Sequence, residues 1–498
     1  AIAAAVDEGL IYVQETFDIA PDETALTLNS KCFETGTSTF ATLLQQIETG
    51  TLSGQPQDLT QRRYFTKAQR PSAAATLRFD QSAEELDRLV RGLDFGAGYA
   101  NPLLMPKLRC AQGIYAVTAL KISSSTSHAV SGTVLSVTGE GVTIATLDQP
   151  VIVNGLRIGD AADLKAALTA GTVLPRFDEI EIAALTEAVS HAAKHEGWHR
   201  LRLASIQDVD LMDVRPYASD QLPEISSLSL DLPATLSRDE KLAATAAFML
   251  RLSGQERVSF AYTNDVIAKI VTRFPGYFAQ TVPLTVDAAD GASVAGFTDD
   301  VIARLEVVRK QGSFLSDLPQ RLPNLSTPRL TIGLVDGDNA ILPKTCALAF
   351  VIGENGHSIL FDRNRIAAGE VEAIAARISG LAEAFVAKSG LVADLPLMSA
   401  TEEHRLLHDW NDTTLKYDDA CMHVLFERQA DRTPDAVAVV SGTAALTYRQ
   451  LDERANRVAH ALMGQGVGPD VMVGLHVSRS VDLVVGALAI QKAGGAYV

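Results

Sequence analysis

The sequence predicts a multidomain chain of mixed α/β and α+β architecture. Three observations carry that prediction. At 498 residues the chain is too long for a single hydrophobic core, and length alone gives roughly three domains. From Leu103 to Val153, short alternating stretches (GIYAVTALKI, GTVLSV, GVTIATLD, PVIVNGL) recur between Gly and Asp turns, the pattern of a small β-barrel or meander. After Pro175 the pattern changes to long amphipathic helices such as KLAATAAFMLRLSG, mixed with apolar strands such as Cys346–Ile352.

In chain order, Leu10 to Val13 reads as a strand and the stretch around Ala25–Gly50 as a helix. Residues 51–78 are polar, rich in Gln and Pro and without a clear period, and read as a linker. Ser82, with Glu85 three residues later, forms a capping box before Leu86, Leu89 and Val90. Val392–Asp419 reads as a connector. Beyond it, helical patterns cover His423–Thr433 and Tyr448–Gly464, the second with an apolar face of Leu451, Ala455, Val458 and Leu462. Strand-like runs cover Ala436–Val440 and Val471–His476.

Composition narrows the function classes. Hydrophobic residues make up 47% and charged residues 21%, as in ordinary globular chains. No run of about 18 apolar residues appears, so no membrane span or membrane partner is expected. The start, AIAAAVDEGLIYVQ, has no basic region or cleavage site of a signal peptide; it also lacks an initiator Met, and truncation is expected. Cys32, Cys110, Cys346 and Cys421 lie far apart without CxxC or Cys/His spacing, which argues against a zinc site and for a reducing, cytoplasmic setting. A formal net charge of −17 disfavours a nucleic-acid partner. His191 and His195 stand at i, i+4, but without a third ligand or HExxH they read as a solvated helix face, and no metal site is expected.

Three resemblances add to this. VDEGLIYVQETFDIAPDETALTLNSKCFETG, then GTLSGQPQD (Gly50–Asp58), then SAEELDRLVRGLD, resemble in order the 10-formyltetrahydrofolate-dependent formyltransferases. The resemblance implies the end of a Rossmann-like catalytic lobe with its linker over 1–75 and an OB-like C-terminal barrel over 76–165. It places Asp7 at the family's catalytic Asp and Ala5, Val6 and Asp7 at the 10-formyltetrahydrofolate site, with the Asn and His partners upstream of Ala1. A carboxylate beside Gly9 can fix an imidazole as general base; it can equally satisfy backbone donors in a turn.

HEGWHRLRLA, AAFMLRLSGQERVSFAY, PGYFAQTVPLTVD and LPLMSATEEHRLLHDWN resemble, in order, the second, acetyltransferase-like lobe of a condensation domain, over 172–400. The family's two adjacent His followed by Asp-Gly are absent: His128, His191 and His195 lack those neighbours, and Gln280 stands where the family carries Asn. The lobe is expected to be non-catalytic, a packed spacer.

LTYRQLDERANRVAHALMGQGVGPDVMVGLHVSRSVDLVVGALAIQKAGGAYV resembles the opening of an amino-acid adenylation domain, so 411–498 is expected to begin an adenylate-forming α/β domain whose ATP loop lies beyond Val498. Together the resemblances imply a fragment of a nonribosomal peptide synthetase, inactive alone. Its parent would activate an amino acid with ATP and Mg²⁺ and pass it to phosphopantetheine on a downstream peptidyl carrier domain. It would formylate a carrier-bound or hydroxylamine-type amine from 10-formyltetrahydrofolate. The competing expectation is a scaffold whose formyltransferase and condensation segments are relics supporting only adenylation.

Overall fold

The computed structural model describes residues 9–211, 214–216, 222–325, 329–339 and 341–498. The chain forms two compact units, Ala1–Glu403 and His404–Val498.

In the first unit, the strand expected at Leu10 to Val13 reduces to one bridge, Ile11 to Gln55; Gln55 is the only partner the described chain brings to it. Helix α1 (Ala25–Glu48) opens on Thr24, whose side chain accepts from the Thr27 N–H. The stretch read as a linker carries little regular structure beyond a single 3-10 turn at Leu59–Gln61, but its end is packed. Arg70 and Ala73 to Leu77 are buried, and Ala73, Ala74 and Ala75 all have positive φ (48°, 56°, 61°). Alanine pays about 1–2 kcal/mol per residue there. The turn is held by the Thr186 hydroxyl, which accepts from Ala73 N–H (2.9 Å), and by a Thr76–Tyr277 hydroxyl contact (2.9 Å).

Helix α2 (Ala83–Gly92) begins at the expected capping box, with Ser82 N–H donating to the Glu85 carboxylate (2.9 Å). Strands β1 (Lys107–Cys110), β2 (Gly113–Ile122), β3 (Val134–Thr138), β4 (Gly141–Ile144) and β5 (Val151–Arg157) pair antiparallel in the order β1-β2-β5-β4-β3. This corrects the expected OB-like barrel: among the described residues nothing joins β1 to β3, and the sheet is open. Its margins are instead met by loop residues, Thr76 bridging Lys107 on β1 and Val173 bridging Thr133 beside β3, which protects edges without closure. Its core is Leu86, Leu108, Tyr115, Val142, Ile144, Val151 and Val153, closed by Leu164, Leu168 and Leu174.

Helices α3 (Leu164–Ala167), α4 (Glu179–Ala193) and α5 (Glu196–Ala204) lead into a second layer structure. It comprises β6 (Ile225–Ser229), α6 (Arg238–Ser253), β7 (Arg257–Asn264), α7 (Asp265–Arg273), β8 (Val282–Asp287), α8 (Val294–Gln311), β9 (Ile332–Asp336), β10 (Leu348–Ile352), β11 (His357–Asp362) and α9 (Ala368–Phe385). The sheet runs β6-β11-β10-β9-β7-β8, with β9 parallel to β7 and β10 and the other pairs antiparallel. Strand alternation sends Val258, Phe260, Tyr262, Leu348, Phe350 and Ile352 into the core shared with α6, α8 and α9. The smaller Ala261, Val335, Ala349 and Val351 form a second cluster. Residues Leu242 to Leu250 of α6 are all buried, as in a helix enclosed on every side.

The connector reading of Val392–Asp419 is corrected in part. It contains α10 (Ala400–His404) and a π-turn at Arg405–Asp409. The second unit continues with α11 (Met422–Arg432), β12 (Val437–Ser441), β13 (Ala444–Thr447), α12 (Tyr448–Gly464), β14 (Met472–Val473), α13 (Val481–Lys492) and β15 (Ala496–Tyr497). β12 and β13 form an antiparallel pair; β14 and β15 are parallel, with α13 between them in sequence. The run Val471–His476 yields only a two-residue strand because its partner is two residues long.

Candidate functional site

Charge is concentrated in the interior of the first unit. Lys107, on β1, is 1% exposed and its Nζ donates to Asp317 (2.7 Å), Met105 O (3.0 Å) and Ala74 O (3.3 Å). Asp317, with no exposure, also accepts from Met105 N–H (2.9 Å) and faces Arg321 Nε at 3.4 Å. Arg321 and Arg70 then share Glu196: Arg321 donates to both its oxygens, and Arg70 to Oε2 at 2.7 Å. Burial alone would raise the Asp317 carboxyl, but Lys107 and Arg321 outweigh it and hold it at about 2. Burial pulls Lys107 down, while the neighbouring Asp317 carboxylate favours its ammonium and all three of its protons have acceptors.

No part of this network was visible in the sequence. Its members are residues 70, 107, 196, 317 and 321, far apart in the chain.

A second polar cluster lies under the six-stranded sheet. Tyr262 OH donates to Asp336 (2.6 Å), which also accepts from Arg309 Nε (2.8 Å), and Arg309 NH1 reaches Asp239 (2.9 Å). Burial first, then the neighbouring Asp336 charge, raises the Tyr262 hydroxyl far above its usual value.

The sequence-predicted residues fare differently. Ala5, Val6 and Asp7 lie outside the described residues. His191 and His195 face each other edge-on at 5.6 Å between ring centres. His191 is exposed and lines a cavity of about 630 Å³ with Glu187, Lys194, Lys269 and Arg273. Among the described residues no group of three or more His, Cys, Asp and Glu is placed to hold a metal ion. Gln280 is exposed. The histidine that burial changes most is His199, with no exposure, held neutral down to about 4 by desolvation.

In the second unit the motif residues act within the core. Thr447 caps α12, accepting from Gln450 N–H. Leu451 packs with Leu446, Val481 and Val485, and Ala455 with Ala459, Ala489 and Ala493, so small residues bring α12 and α13 together. Of the expected apolar face, Val458 is 39% exposed. Lys492, its side chain 4% exposed, bridges Glu427 on α11 (2.5 Å) and Asp452 on α12 (2.8 Å). Burial would lower its ammonium, but the two carboxylates outweigh that and raise it.

The family described as AMP-binding enzyme matches residues 426–498. That segment is similar to AMP-binding enzymes. The chain is also similar to tyrocidine synthase 2 of Brevibacillus parabrevis, 40% identical over 159 residues, 32% of this chain and 4% of that protein. Malpinin synthetase of Mortierella alpina is 51% identical over 108 residues, 22% of this chain and 1% of that protein. The chain thus spans only a few hundredths of the length of the curated relatives it matches. Among solved structures, a four-domain nonribosomal peptide synthetase bound to AMP and glycine aligns at a TM-score of 0.53 with 13% identity, over 66% of this chain and 30% of that one. That last likeness is one of fold.

Proposed function

We propose that the protein carrying this chain is a nonribosomal peptide synthetase and that its second unit belongs to an amino-acid adenylation domain. The AMP-binding match over 426–498 carries this reading. The identities to peptide synthetases support it. In that reaction an amino-acid carboxylate attacks the α-phosphate of Mg²⁺-bound ATP, releasing pyrophosphate, and a carrier phosphopantetheine thiol then displaces AMP. The residues seen here build the helix pair and βα unit of that domain.

For the first unit, the order of motifs along 1–165 supports descent from a formyltransferase, with Asp7 orienting the base that takes a proton from the attacking amine as 10-formyltetrahydrofolate gives up its formyl group. The 172–400 region is read as a non-catalytic condensation-like lobe, because no adjacent His pair occurs in it. The competing scaffold reading draws on the same buried ion network, which serves packing.

The test is amino-acid-dependent ATP–pyrophosphate exchange, together with formyl transfer from 10-formyltetrahydrofolate, in the full-length protein. Exchange with at least one amino acid is expected, and its absence refutes the adenylation reading. Asp7→Asn should lower formylation by a factor of ~10² or more, the scale of general acid–base help. Exchange without any formyl transfer by the unmodified protein would decide for the scaffold.

A further inference from the structure

The buried chain of charges in the first unit does not balance. Lys107, Arg321 and Arg70 supply three cations; Asp317 and Glu196 supply two carboxylates. Arg70, with a side chain 4% exposed, ends the chain, and its buried Nε makes no hydrogen bond among the described residues. A surplus charge in such a place is costly unless a counter-charge meets it.

Arg70, Glu196 and Arg321 form part of the wall of a cavity of about 760 Å³. Lys67, Lys194 and Arg200 line the same cavity and are exposed. None of these three has an ion-pair partner among the described residues. Among the described residues, five cations from three separate segments therefore line a space with one carboxylate, in a chain whose net charge is −17. Leu103, Leu318, Leu322 and Pro102 complete the wall with apolar surface.

We propose that this cavity binds a phosphate monoester carrying an apolar organic body. The phosphate dianion, with three free oxygens, answers cations arriving from several directions. The apolar wall takes the organic part. A monocarboxylate neutralises one cation and leaves the others unanswered. The cavity lies wholly in the first unit, so the proposal does not depend on the adenylation reading.

The experiment is lysine acetylation of the full-length protein, read residue by residue by mass spectrometry, with phenyl phosphate as probe. When the probe exceeds its Kd about fourfold, labelling of Lys67 and Lys194 should slow about fivefold, as one-site occupancy requires. Lys121 and Lys416, exposed and outside the cavity, should not change. Benzoate, a monocarboxylate on the same phenyl body, should give little protection at equal concentration. Arg200→Gln, a change at an exposed side chain, should weaken the protection of both lysines severalfold. Absent protection, equal protection of Lys121 and Lys416, equal protection by benzoate, or an unaffected Arg200→Gln protein would each overturn the proposal.

Discussion

Removing either member of the Lys107–Asp317 pair should destabilise the first unit, but unequally. Deleting one partner of a buried ion pair costs about 3–5 kcal/mol because a desolvated charge loses its partner. The network starts with one surplus cation. Lys107→Met brings it to neutrality and leaves Asp317 facing Arg321 at 3.4 Å and the Met105 N–H at 2.9 Å. Asp317→Asn raises the surplus to two and leaves the 1%-exposed ammonium of Lys107 without a counter-ion. Asp317→Asn should therefore stand at the upper end of that range and Lys107→Met at the lower. Urea unfolding followed by tryptophan fluorescence suits the comparison. Trp198 sits on α5 two residues from Glu196 and is packed against the core, whereas Trp410 is 68% exposed. The double variant should cost less than the two single changes added together. Equal losses, or a larger loss for Lys107→Met, would refute the charge count. Asp317 also fixes a pH response. Its folded value of about 2 lies below 3.8, so its contribution, roughly 2 kcal/mol, is present above pH 4 and lost as pH falls towards 2.

Other outcomes follow from single side chains. His199 is held neutral to about 4 rather than 6.5, so the unfolded chain takes up its proton first. Stability should drop by roughly 3 kcal/mol as pH falls from 6.5 to 4, and His199→Phe should flatten that part of the urea-midpoint profile. Lys492→Met leaves Glu427 and Asp452 facing without their cation; both are partly solvated, so about 1–3 kcal/mol of second-unit stability should go. An unchanged circular-dichroism melt would contradict this. Ala74→Val puts a β-branched residue at φ 56° in a site 1% exposed and should cost more than about 3 kcal/mol. Ala74→Gly should be close to neutral, because relieved strain offsets the lost methyl; equal melting of the Val and Gly variants would show the turn is unstrained.

Local patterns were legible where local chemistry decides structure. Ser82–Glu85 and the Tyr448–Gly464 helix appear as the sequence implies, since caps and a 3.6-residue period act over a few residues. The barrel expectation failed because closure depends on what meets the edges of β1 and β3, and those partners, Thr76 and Val173, lie in loops without strand character. The stretch RPSAAATL gave no sign of a buried turn: three alanines favour a right-handed helix, and contacts of Ala73, Ala74 and Thr76 with the distant Thr186, Lys107 and Tyr277 hold them otherwise. The predicted catalytic position, Asp7, falls outside the described residues. The charge network joins positions up to 210 residues apart, beyond the reach of any local pattern.

The composition shift near residue 170 looks like a natural seam, a place where one piece ends and another could be exchanged. The ion network runs across it. Lys107 and Arg70 stand before the seam; Asp317, Arg321 and Glu196 stand after it. A chain cut or recombined there would leave two dry cations on one side, and on the other two carboxylates with a single arginine between them. Each half would need its missing charges back before it could bury that surface. The two segments should consequently be inherited, transplanted and lost together, with the true boundary for exchange lying beyond the six-stranded sheet.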